Sequence, residues 1–456
     1  MIAASEIVEC LGSLLLAERP GRARRFRGVA IDSRQAGRGD LFVALAGERT
    51  DGPAFVADAV AHGARGVLVR ELPQALPAGV AAFVVADTLQ ALQRLAAGRR
   101  DRRHAKVIGI TGSVGKTTTR ELTAEVLSTR YRVLKSEANY NNEIGLPLTL
   151  LKLTERHQRA VLEMGMYALG EIRTLCEIAR PQIGVVTNIG PSHLERLGSL
   201  EAIAAAKAEL PESLPLHGFA LFNADDPLVR AMAGRTRAQP LFYGLAEGAD
   251  VRATEIASRG LDGVSFRLHW GGESAPVKTS LPGRHIVSNA LAAAAVGLAD
   301  GMTLPEVAGA LEGTRVPLRI QVHRGRGGAT ILDDTYNASP ASVTAALDLL
   351  AEIPGRRIAV LGDMAELGAA SREGHLVVGR RAAETADVVH AVGAEAALIA
   401  QAARELGHHD VHHWPDKEAA GRALAADLRP DDVVLLKASR AIALETLLET
   451  LEERDG

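Results

Sequence analysis

Cysteines, lysines and aromatic residues are scarce in this sequence of 456 residues. The two cysteines, Cys10 and Cys176, are too few and too far apart for a disulfide framework or a zinc site, which favours a reducing compartment. Aromatic residues make up 3% and the formal net charge is -3, so nothing indicates a nucleic-acid-binding protein. Because Glu6 and Glu9 interrupt the N-terminal apolar stretch and no long uncharged apolar run follows, we expect a cytoplasmic protein without membrane insertion.

The length and composition are typical of a globular protein with more than one domain. Hydrophobic residues make up 47% and charged residues 23%, and a chain this long usually forms two to four domains. Changes in the sequence pattern predict three of them. We expect a small N-terminal α/β module at 1–86, a central domain at 87–316 whose first residues form a linker, and a C-terminal domain at 317–456.

The order of apolar strands and amphipathic helices predicts an α/β fold. Strand and helix patterns alternate between 107 and 225, which is typical of a parallel sheet covered on both faces. The segments at 251–282 are short and alternate apolar with polar residues, so we predict a small antiparallel appendage there. From 329 to 438 the strand–helix alternation returns, which predicts a second, Rossmann-like α/β domain.

A glycine-rich loop between a strand and a helix is the clearest chemical signal in the sequence. The segment VIGITGSVGKTTTRE at 107–121 has Gly112 and Gly115 before Lys116 and Thr117. Such a loop directs backbone N–H groups at phosphate oxygens, while its lysine reaches the β- and γ-phosphates and its threonine can bind Mg²⁺. Ile110 occupies the position of the first glycine of the strict pattern. An ordinary glycine-rich turn is the simpler alternative, but the Gly-Lys-Thr-Thr sequence favours nucleotide binding.

Three further side chains are candidates for metal binding and catalysis. Glu163 ends a strand, His193 follows the next one, and both lie where open α/β sheets bind ligands, at the carboxyl ends of the strands. Lys207 lies in an alanine-rich helix. Individually, each has a simpler explanation: a solvated strand end, a loop histidine and a surface lysine. The association of Glu163 and His193 with a phosphate loop favours metal and substrate binding, whereas the sequence around Lys207 alone does not make it catalytic.

These motifs, taken in order, resemble those of the Mur ligase family. The resemblance covers nearly the whole chain and includes TGSVGKTTT at 111–119, EMG at 163–165, TNIGPSHLE at 187–195 and PGRHIVSNALAAA at 282–294. Further segments resemble the members of the family that add D-alanyl-D-alanine to UDP-N-acetylmuramoyl-tripeptide. They are DSRQAGRGDLFVALAGERTDG at 32–52, NYNNEIGLPLTLL at 139–151, LDDTYNASPASVTAAL at 332–347 and LGDMAELG at 361–368.

The resemblance implies a role for each matching residue in an ATP- and Mg²⁺-dependent ligase. The phosphate loop would bind ATP through Thr111, Gly112, Ser113, Val114, Gly115, Lys116, Thr117 and Thr118. The remaining nucleotide contacts would come from His285, Asn289, Arg319 and Asp334. Metal binding would involve Thr117, Glu163, His193 and, if it is carbamylated, Lys207; the catalytic residues would be Lys116, Glu163, His193 and Lys207. The UDP-sugar peptide and the incoming dipeptide would contact Asp32, Ser33, Arg34, Asn142, Asn337 and Ser339.

At four positions the sequence departs from the usual pattern of the family. Val114 and Ile286 stand where asparagine is frequent, Ala438 where glycine is frequent, and Pro53 where histidine is common. The residues expected to bind phosphate and metal are retained, so we interpret these departures as adjustments of an active enzyme. We expect this enzyme to be a monomer.

Two other functions remain alternatives. A neighbouring Mur ligase would add a diamino acid or lysine to the dipeptide precursor, although the segments at 139–151 and 332–347 favour the dipeptide-adding enzymes. A nucleotide-binding switch or motor would turn over ATP without an amine acceptor. Asp333, Asp334, Asn141, Asn142 and Asn289 could also have purely structural roles as helix caps, turn formers or helix residues.

Overall fold

The computed structural model describes residues 1–47, 52–137, 139–192, 194–316 and 320–452. The chain forms two compact units. The first unit consists of Met1–Gly109, Arg130–Gly165 and Gly170–Gln182. The second unit consists of Ile110–Thr129, Met166–Leu169 and Ile183–Gly456. In the described part of the chain, no helix has the length and apolar character needed to cross a membrane.

The first part of the chain alternates short strands and helices. Its strands are β1 (Ile2–Ala3), β2 (Leu15–Arg19), β3 (Arg25–Phe26), β4 (Val29–Ala30), β5 (Leu41–Val43), β6 (Gly66–Val69), β7 (Ala81–Val85), β8 (Lys106–Thr111), β9 (Val133–Lys135) and β10 (Arg159–Glu163). Its helices are α1 (Ala4–Leu11), α2 (Val56–His62), α3 (Thr88–Asp101), α4 (Lys116–Ser128), α5 (Gly145–Leu151) and α6 (Glu171–Ala179). Of these elements, α4 and the last two residues of β8 belong to the second unit.

The rest of the chain lies in the second unit. Its strands are β11 (Ile183–Val186), β12 (Phe219–Asn223), β13 (Gln239–Gly244), β14 (Val251–Ser258), β15 (Val264–Trp270), β16 (Glu273–Thr279), β17 (Gln321–Arg324), β18 (Thr330–Asp333), β19 (Arg356–Gly362), β20 (Val388–Val392), β21 (Val411–Trp414) and β22 (Asp432–Lys437). Its helices are α7 (Leu194–Leu197), α8 (Leu200–Glu212), α9 (Pro227–Ala231), α10 (Ile286–Ala299), α11 (Leu304–Glu312), α12 (Pro340–Ala351), α13 (Ser371–Thr385), α14 (Ala397–Glu405), α15 (Lys417–Asp427) and α16 (Leu448–Leu451).

A five-stranded sheet organises the N-terminal part of the first unit. Its strand order is β2–β7–β6–β5–β4, with β4 to β7 parallel and β2 antiparallel to β7. Leu41, Phe42 and Val43 of β5 are all buried, as expected for a parallel strand covered on both faces. In the same unit, β9 and β10 form a parallel pair.

The second unit contains the predicted change from parallel to antiparallel pairing. Strands β11 to β14 pair parallel with their neighbours in that order, whereas β15 pairs antiparallel with both β14 and β16. The C-terminal sheet has the order β17–β18–β22–β19–β20–β21, and all its pairs are parallel except β17 with β18. The predicted α/β fold with its antiparallel appendage is therefore confirmed.

Aromatic side chains stack at the edge of the C-terminal sheet. The ring centroids of His390 on β20 and His412 on β21 are 5.0 Å apart, and Trp414 lies 6.0 Å from each of them. The indole Nε1 of Trp414 donates a hydrogen bond of 2.9 Å to His390 Nδ1. Burial, and then the charge of His412, lower the pKa of His390 to about 4, so this ring is a neutral acceptor at physiological pH.

The segment predicted to contain a linker folds as a helix. Asp87 caps α3 by accepting hydrogen bonds from the backbone N–H groups of Leu89 and Gln90. Further along α3, the buried guanidinium of Arg99 donates to both carboxylate oxygens of Glu6 at 3.0 and 3.1 Å and to the carbonyl of Leu153 at 2.9 Å. The arginine-rich sequence thus anchors a helix inside the first unit.

The buried Arg99–Glu6 pair predicts a large stability effect. Replacement of Glu6 by Ala would leave the Arg99 guanidinium, which is 3% exposed, without its carboxylate, and should cost about 3 kcal/mol. The matched control is Glu9→Ala on the same helix, because Glu9 pairs with the half-exposed Arg102 and its loss should cost below about 1 kcal/mol. Urea unfolding of the full chain measures both, and equal costs would contradict the prediction.

Candidate functional site

The phosphate-loop segment connects β8 to α4 and has the backbone that its glycines allow. Gly112 and Gly115 have φ values of 146° and 85°, in a backbone region that residues other than glycine rarely adopt. A Cβ at Gly112 would lie 1.8 Å from Thr187 Oγ1, and one at Gly115 would lie 2.6 Å from Asn289 Oδ1. Both glycines are therefore required by their backbone conformation and by lack of space.

A second loop, which follows β11, holds the phosphate loop in place. Val114 donates its N–H to Asn188 Oδ1 at 2.8 Å, and its carbonyl accepts from Thr187 Oγ1 at 2.7 Å and Asn188 Nδ2 at 2.9 Å. Ser113 Oγ donates to the carbonyl of Gly190 at 3.0 Å and accepts from its N–H at 2.9 Å. Since Val114 takes part through its backbone alone, its departure from the family pattern leaves this geometry intact.

Lys116, the first residue of α4, folds back over the loop. Its Nζ donates to the carbonyl oxygens of Gly112 at 2.7 Å and Ser113 at 3.2 Å. Thr117 and Thr118 follow in the first helical turn, and the Thr119 hydroxyl donates to Asn289 Oδ1 at 3.0 Å. The lysine ammonium and the first turn of a helix thus lie together, an arrangement that suits a bound anion.

Lys207 lies inside the protein rather than on its surface. It is 2% exposed on α8, although its alanine-rich surroundings also allowed a surface lysine. Burial, and secondly the charge of Lys116, hold the pKa of the Lys207 amine well below its ordinary value. A buried amine of this kind is a better nucleophile than an exposed lysine because less of it is protonated.

A cavity of about 270 Å³ adjoins the phosphate loop within the second unit. Its walls come from the loop itself, from the start of α10 and from α12, and they include Ile286, Ala345 and Ala346 as apolar surface. Among the predicted nucleotide-binding residues, this cavity brings together Val114, Gly115, Thr118, His285, Asn289 and Asp334. Burial lowers the pKa of His285, with the Asp334 carboxylate acting in the opposite direction.

Lys437, for which the sequence predicted no role, also lines this cavity. Its Nζ donates to Asp334 Oδ2 at 2.5 Å and to the backbone carbonyls of Asn337 at 3.0 Å and Asp334 at 3.4 Å. Lys437 is 2% exposed and Asp334 is 7% exposed. The sequence contained one indication of its role, because Lys437 stands at the carboxyl end of a strand in a chain with eight lysines. Its partner Asp334 lies 103 residues earlier, so no local pattern predicts the pair.

A second cavity, of about 120 Å³, has Lys116 in its wall. Its walls combine the phosphate loop with the loop after β18 and the loop after β19, and they include the predicted residues Asn337 and Ser339. Ser339 also has a structural role, because it caps α12 in a capping box with Ser342. Asp333 likewise accepts hydrogen bonds from Thr335, which supports its simpler interpretation as a strand-end residue.

Two hydroxyl groups near the phosphate loop are buried without a hydrogen-bond partner among the described residues. They are Thr111 Oγ1, at the end of β8, and Ser192 Oγ, on the wall of the smaller cavity. Buried polar atoms are nearly always satisfied in native proteins, by water or a ligand where protein atoms do not suffice. These two hydroxyl groups can therefore form hydrogen bonds with water or a ligand.

The remaining predicted residues of the first unit are mostly engaged with their own neighbours. Glu163 is 3% exposed, and its Oε1 accepts from Asn141 Nδ2 at 2.9 Å. Asn142 accepts from the N–H groups of Ile144 and Gly145 at the start of α5, which supports its interpretation as a turn former.

In the N-terminal segment, Asp32 and Arg34 form a local ion pair next to the buried Ser33. Arg34 Nη2 lies 2.6 Å from Asp32 Oδ2, and hydrogen bonds from Arg34 lower the pKa of Asp32 to about 2. The side chain of Arg34 is 83% exposed. The pair thus presents an accessible guanidinium at the surface of the first unit.

His193 and Arg319 lie outside the described residues, so their predicted roles stay predictions. Within the described ranges, no group of three or more His, Cys, Asp or Glu side chains is arranged to hold a metal ion.

Three family models match successive segments of the chain. The model described as Mur ligase family, catalytic domain, matches residues 25–100, the Mur ligase middle domain matches 110–297, and the Mur ligase glutamate ligase domain matches 318–440.

Similar proteins from bacteria cover nearly the whole chain. A Bacillus subtilis protein named UDP-N-acetylmuramoyl-tripeptide–D-alanyl-D-alanine ligase is 38% identical to this chain, with 93% of each chain covered. An Escherichia coli protein of the same name is 39% identical to this chain, with 97% of each chain covered. Among solved structures, MurF from Acinetobacter baumannii aligns with a TM-score of 0.86 at 33% identity over 98% of each chain.

Two other solved structures are similar to different degrees. MurF ligase from Thermotoga maritima in complex with ADP aligns with a TM-score of 0.81 at 32% identity, over 93% of this chain and 96% of that one. A UDP-N-acetylmuramoyl-L-alanyl-D-glutamate–2,6-diaminopimelate ligase aligns with a TM-score of 0.54 at 21% identity, which indicates a shared fold only. By its phosphate loop, its α/β architecture and its full-length similarity to these ligases, the chain belongs to the Mur ligase family.

Proposed function

We propose that this chain is the ATP-dependent ligase that joins D-alanyl-D-alanine to UDP-N-acetylmuramoyl-tripeptide. The principal support is the phosphate loop, which borders a larger, partly apolar cavity and, through Lys116, a smaller polar one. A ligase that activates a carboxylate with ATP needs three adjacent binding sites: one for the nucleoside, one for the phosphates and one for the attacking amine. The relatives that match over nearly the full chain carry this name.

The larger cavity suits the nucleoside part of ATP. Its apolar walls and the neutral imidazole of His285 can contact a purine, and the Asp334 carboxylate can accept hydrogen bonds from ribose hydroxyls. The phosphates would then extend along the loop from Thr111 to Thr118 towards Lys116. Arg319, which lies outside the described residues, is proposed to join this site.

The proposed reaction has two steps. The terminal carboxylate of the tripeptide attacks the γ-phosphorus of ATP, and ADP leaves with the electrons of the broken bond. Lys116 releases the loop carbonyls and neutralises the charge on the transferring group. The dipeptide amine then adds to the acyl carbon, phosphate leaves, and the amine loses a proton, so that an amide forms. Water would hydrolyse the acyl phosphate, and a closed site prevents this loss.

The residues near the loop fit a requirement for Mg²⁺. The hydroxyls of Thr111 and Ser192 have no hydrogen-bond partner among the described residues, and Thr117 carries a hydroxyl oxygen of the type that binds this ion. We propose that Thr117, Glu163, His193 and carbamylated Lys207 hold it. When bound, the ion would offset negative charge on the phosphates. Carbamylation itself needs an unprotonated amine, which the lowered pKa of Lys207 favours.

We propose that the three predicted domains serve the three substrates. Residues 1–86, with Asp32, Ser33 and the exposed Arg34, would bind the UDP-sugar portion. Residues 87–316 would bind ATP, and residues 317–456 would bind the dipeptide near Asn337 and Ser339. The cytoplasmic location and the monomeric state stay predictions.

A reconstituted reaction tests the proposed function. With ATP, Mg²⁺, UDP-N-acetylmuramoyl-tripeptide and D-alanyl-D-alanine present, we expect phosphate release and a UDP-linked pentapeptide detected by mass, with neither when any component is omitted. Lys116→Ala should reduce the rate by at least about 100-fold, because it removes charge stabilisation of the transferring phosphoryl group. Lys152→Ala, at an exposed lysine, is the matched control.

Two results would contradict this function. Product from a dipeptide precursor plus a diamino acid alone would indicate the neighbouring ligase. ATP turnover without any amide product would indicate a nucleotide-dependent switch.

The buried amine of Lys207 predicts carbamylation. In ¹³C-bicarbonate, the wild-type protein should show a carbamate carbon signal that Lys207→Ala lacks and that weakens as the pH falls, because protonation removes the nucleophilic amine. Lys278→Ala, at an exposed lysine of the same unit, should keep the signal. A wild-type spectrum without the signal would contradict the carbamylation of Lys207.

The buried Lys437–Asp334 pair predicts a role in nucleotide binding. Lys437→Met would leave the Asp334 carboxylate buried without its cation, and should raise the KM for ATP by about tenfold and destabilise the protein by about 3 kcal/mol. Lys278→Met is the matched control. ATP titrations and thermal unfolding measure the two effects, and an unchanged KM would contradict the assignment of Asp334 to the nucleotide site.

A further inference from the structure

Glu366 has an unusual backbone conformation beside the phosphate loop. Its φ is 64°, and the described non-glycine residues with positive φ are Arg180, Glu255, Glu366, Asp431 and Ala443. Of these, Glu366 is the one that lines the smaller cavity, whose wall also contains Lys116. A left-handed conformation is unfavourable for a glutamate and persists where the surrounding structure imposes it, often at functional sites.

The preceding residues show how this conformation is imposed. The carbonyl of Asp363 accepts from the N–H of Ser439 at 3.0 Å, and the N–H of Ala365 donates to Ser439 Oγ at 2.8 Å. Between them, the N–H of Met364 donates to Nε2 of His375 at 3.0 Å, and His375 is fully buried on α13. Three successive residues are therefore fixed before the chain turns. On the other side, the buried Leu367 packs in the core of the C-terminal sheet.

The chemistry of the smaller cavity suits an ammonium group next to a phosphoryl group. Lys116 supplies a cation on the phosphate-loop side, while Tyr336, Asn337 and Ser339 supply neutral polar groups. Among its described lining residues, Glu366 is the acidic one, and its side chain is exposed. A peptide α-amino group has an ordinary pKa of about 7.7 to 8.0, so it arrives mostly protonated at neutral pH and has to lose protons to form an amide.

We propose that Glu366 binds the ammonium group of the incoming dipeptide and receives a proton from it. This inference rests on the proposed ligase function. The ammonium first gives one proton to the Glu366 carboxylate, or to water held by it, and the freed nitrogen lone pair forms the bond to the acyl carbon. The bond from that carbon to the phosphate oxygen breaks, phosphate leaves with its electrons, and the second proton passes from the nitrogen to solvent.

Substitutions at Glu366 separate its charge from its backbone role. Glu366→Gln keeps the size and removes the charge, and Glu366→Gly suits the left-handed backbone and removes the side chain. We expect both substitutions to raise the KM for D-alanyl-D-alanine by about tenfold or more, because each removes one charge-assisted hydrogen bond to the dipeptide. The KM for ATP should stay unchanged. Glu366→Gly should unfold at a temperature no lower than the wild type. Glu418→Gln, at an exposed glutamate of α15, is the control and should match the wild type.

A substrate analogue tests whether the carboxylate recognises the ammonium itself. D-lactyl-D-alanine has a hydroxyl group in place of the ammonium, and it should inhibit the wild type and Glu366→Gln equally, within about twofold, because its neutral group cannot form the charged contact. Equal weakening of the dipeptide and this analogue would overturn the proposal, as would an unchanged KM for the dipeptide in Glu366→Gln. Failure of the wild type to form any pentapeptide would instead overturn the proposed ligase function.

Discussion

The contact between the phosphate loop and the loop after β11 is the constraint on which the site in the second unit depends. Gly112 approaches Thr187 so closely that a single methyl group at this glycine would overlap the hydroxyl. That approach lets Thr187 and Asn188 bind the backbone of Val114 from one side. Both cavities share Val114 and Gly115 as walls, and the position of this loop therefore defines them both.

Lysine is used sparingly in this chain, and its placement is informative. Lys207 and Lys437 are each 2% exposed, and Lys116 lines the smaller cavity. Elsewhere, buried cations are arginines such as Arg99 and Arg100, which keep their charge and bind carbonyl and carboxylate groups in fixed geometry. A lysine amine can instead lose its proton when buried. Among the described residues, the buried lysines thus lie around the phosphate loop.

Much of the fold could be predicted because its signals are local. Apolar strands followed by amphipathic helices predicted the parallel sheets, and short alternating segments predicted the antiparallel strands β14 to β16. Gly112 and Gly115 could be recognised because the loop sequence itself determines their backbone. Helix α3 was harder to predict, since its arginine-rich end is typical of a solvated segment. The partners that explain why Arg99 lies inside, Glu6 and the carbonyl of Leu153, are 93 and 54 residues away.

The other residues around the cavities depend on contacts between distant segments. No local pattern joins Lys437 to Asp334, and the left-handed backbone of Glu366 follows from Ser439 and His375, which come later in the chain. Lys207 shows the same limit, because an alanine-rich helix is compatible with either a surface or an interior lysine. Glu163 and Asn142 could be located near strand and helix ends, but their partners could not be predicted.

The stacked rings at the edge of the C-terminal sheet give the protein an internal optical probe. The chain has two tryptophans: Trp270 lies on β15, and Trp414 stacks on two histidines of the C-terminal sheet. Indole emission is sensitive to an adjacent imidazole, so the two residues differ in their spectroscopic surroundings. With Trp270 replaced by phenylalanine, the remaining emission would report on the C-terminal sheet alone, at a location outside both cavities.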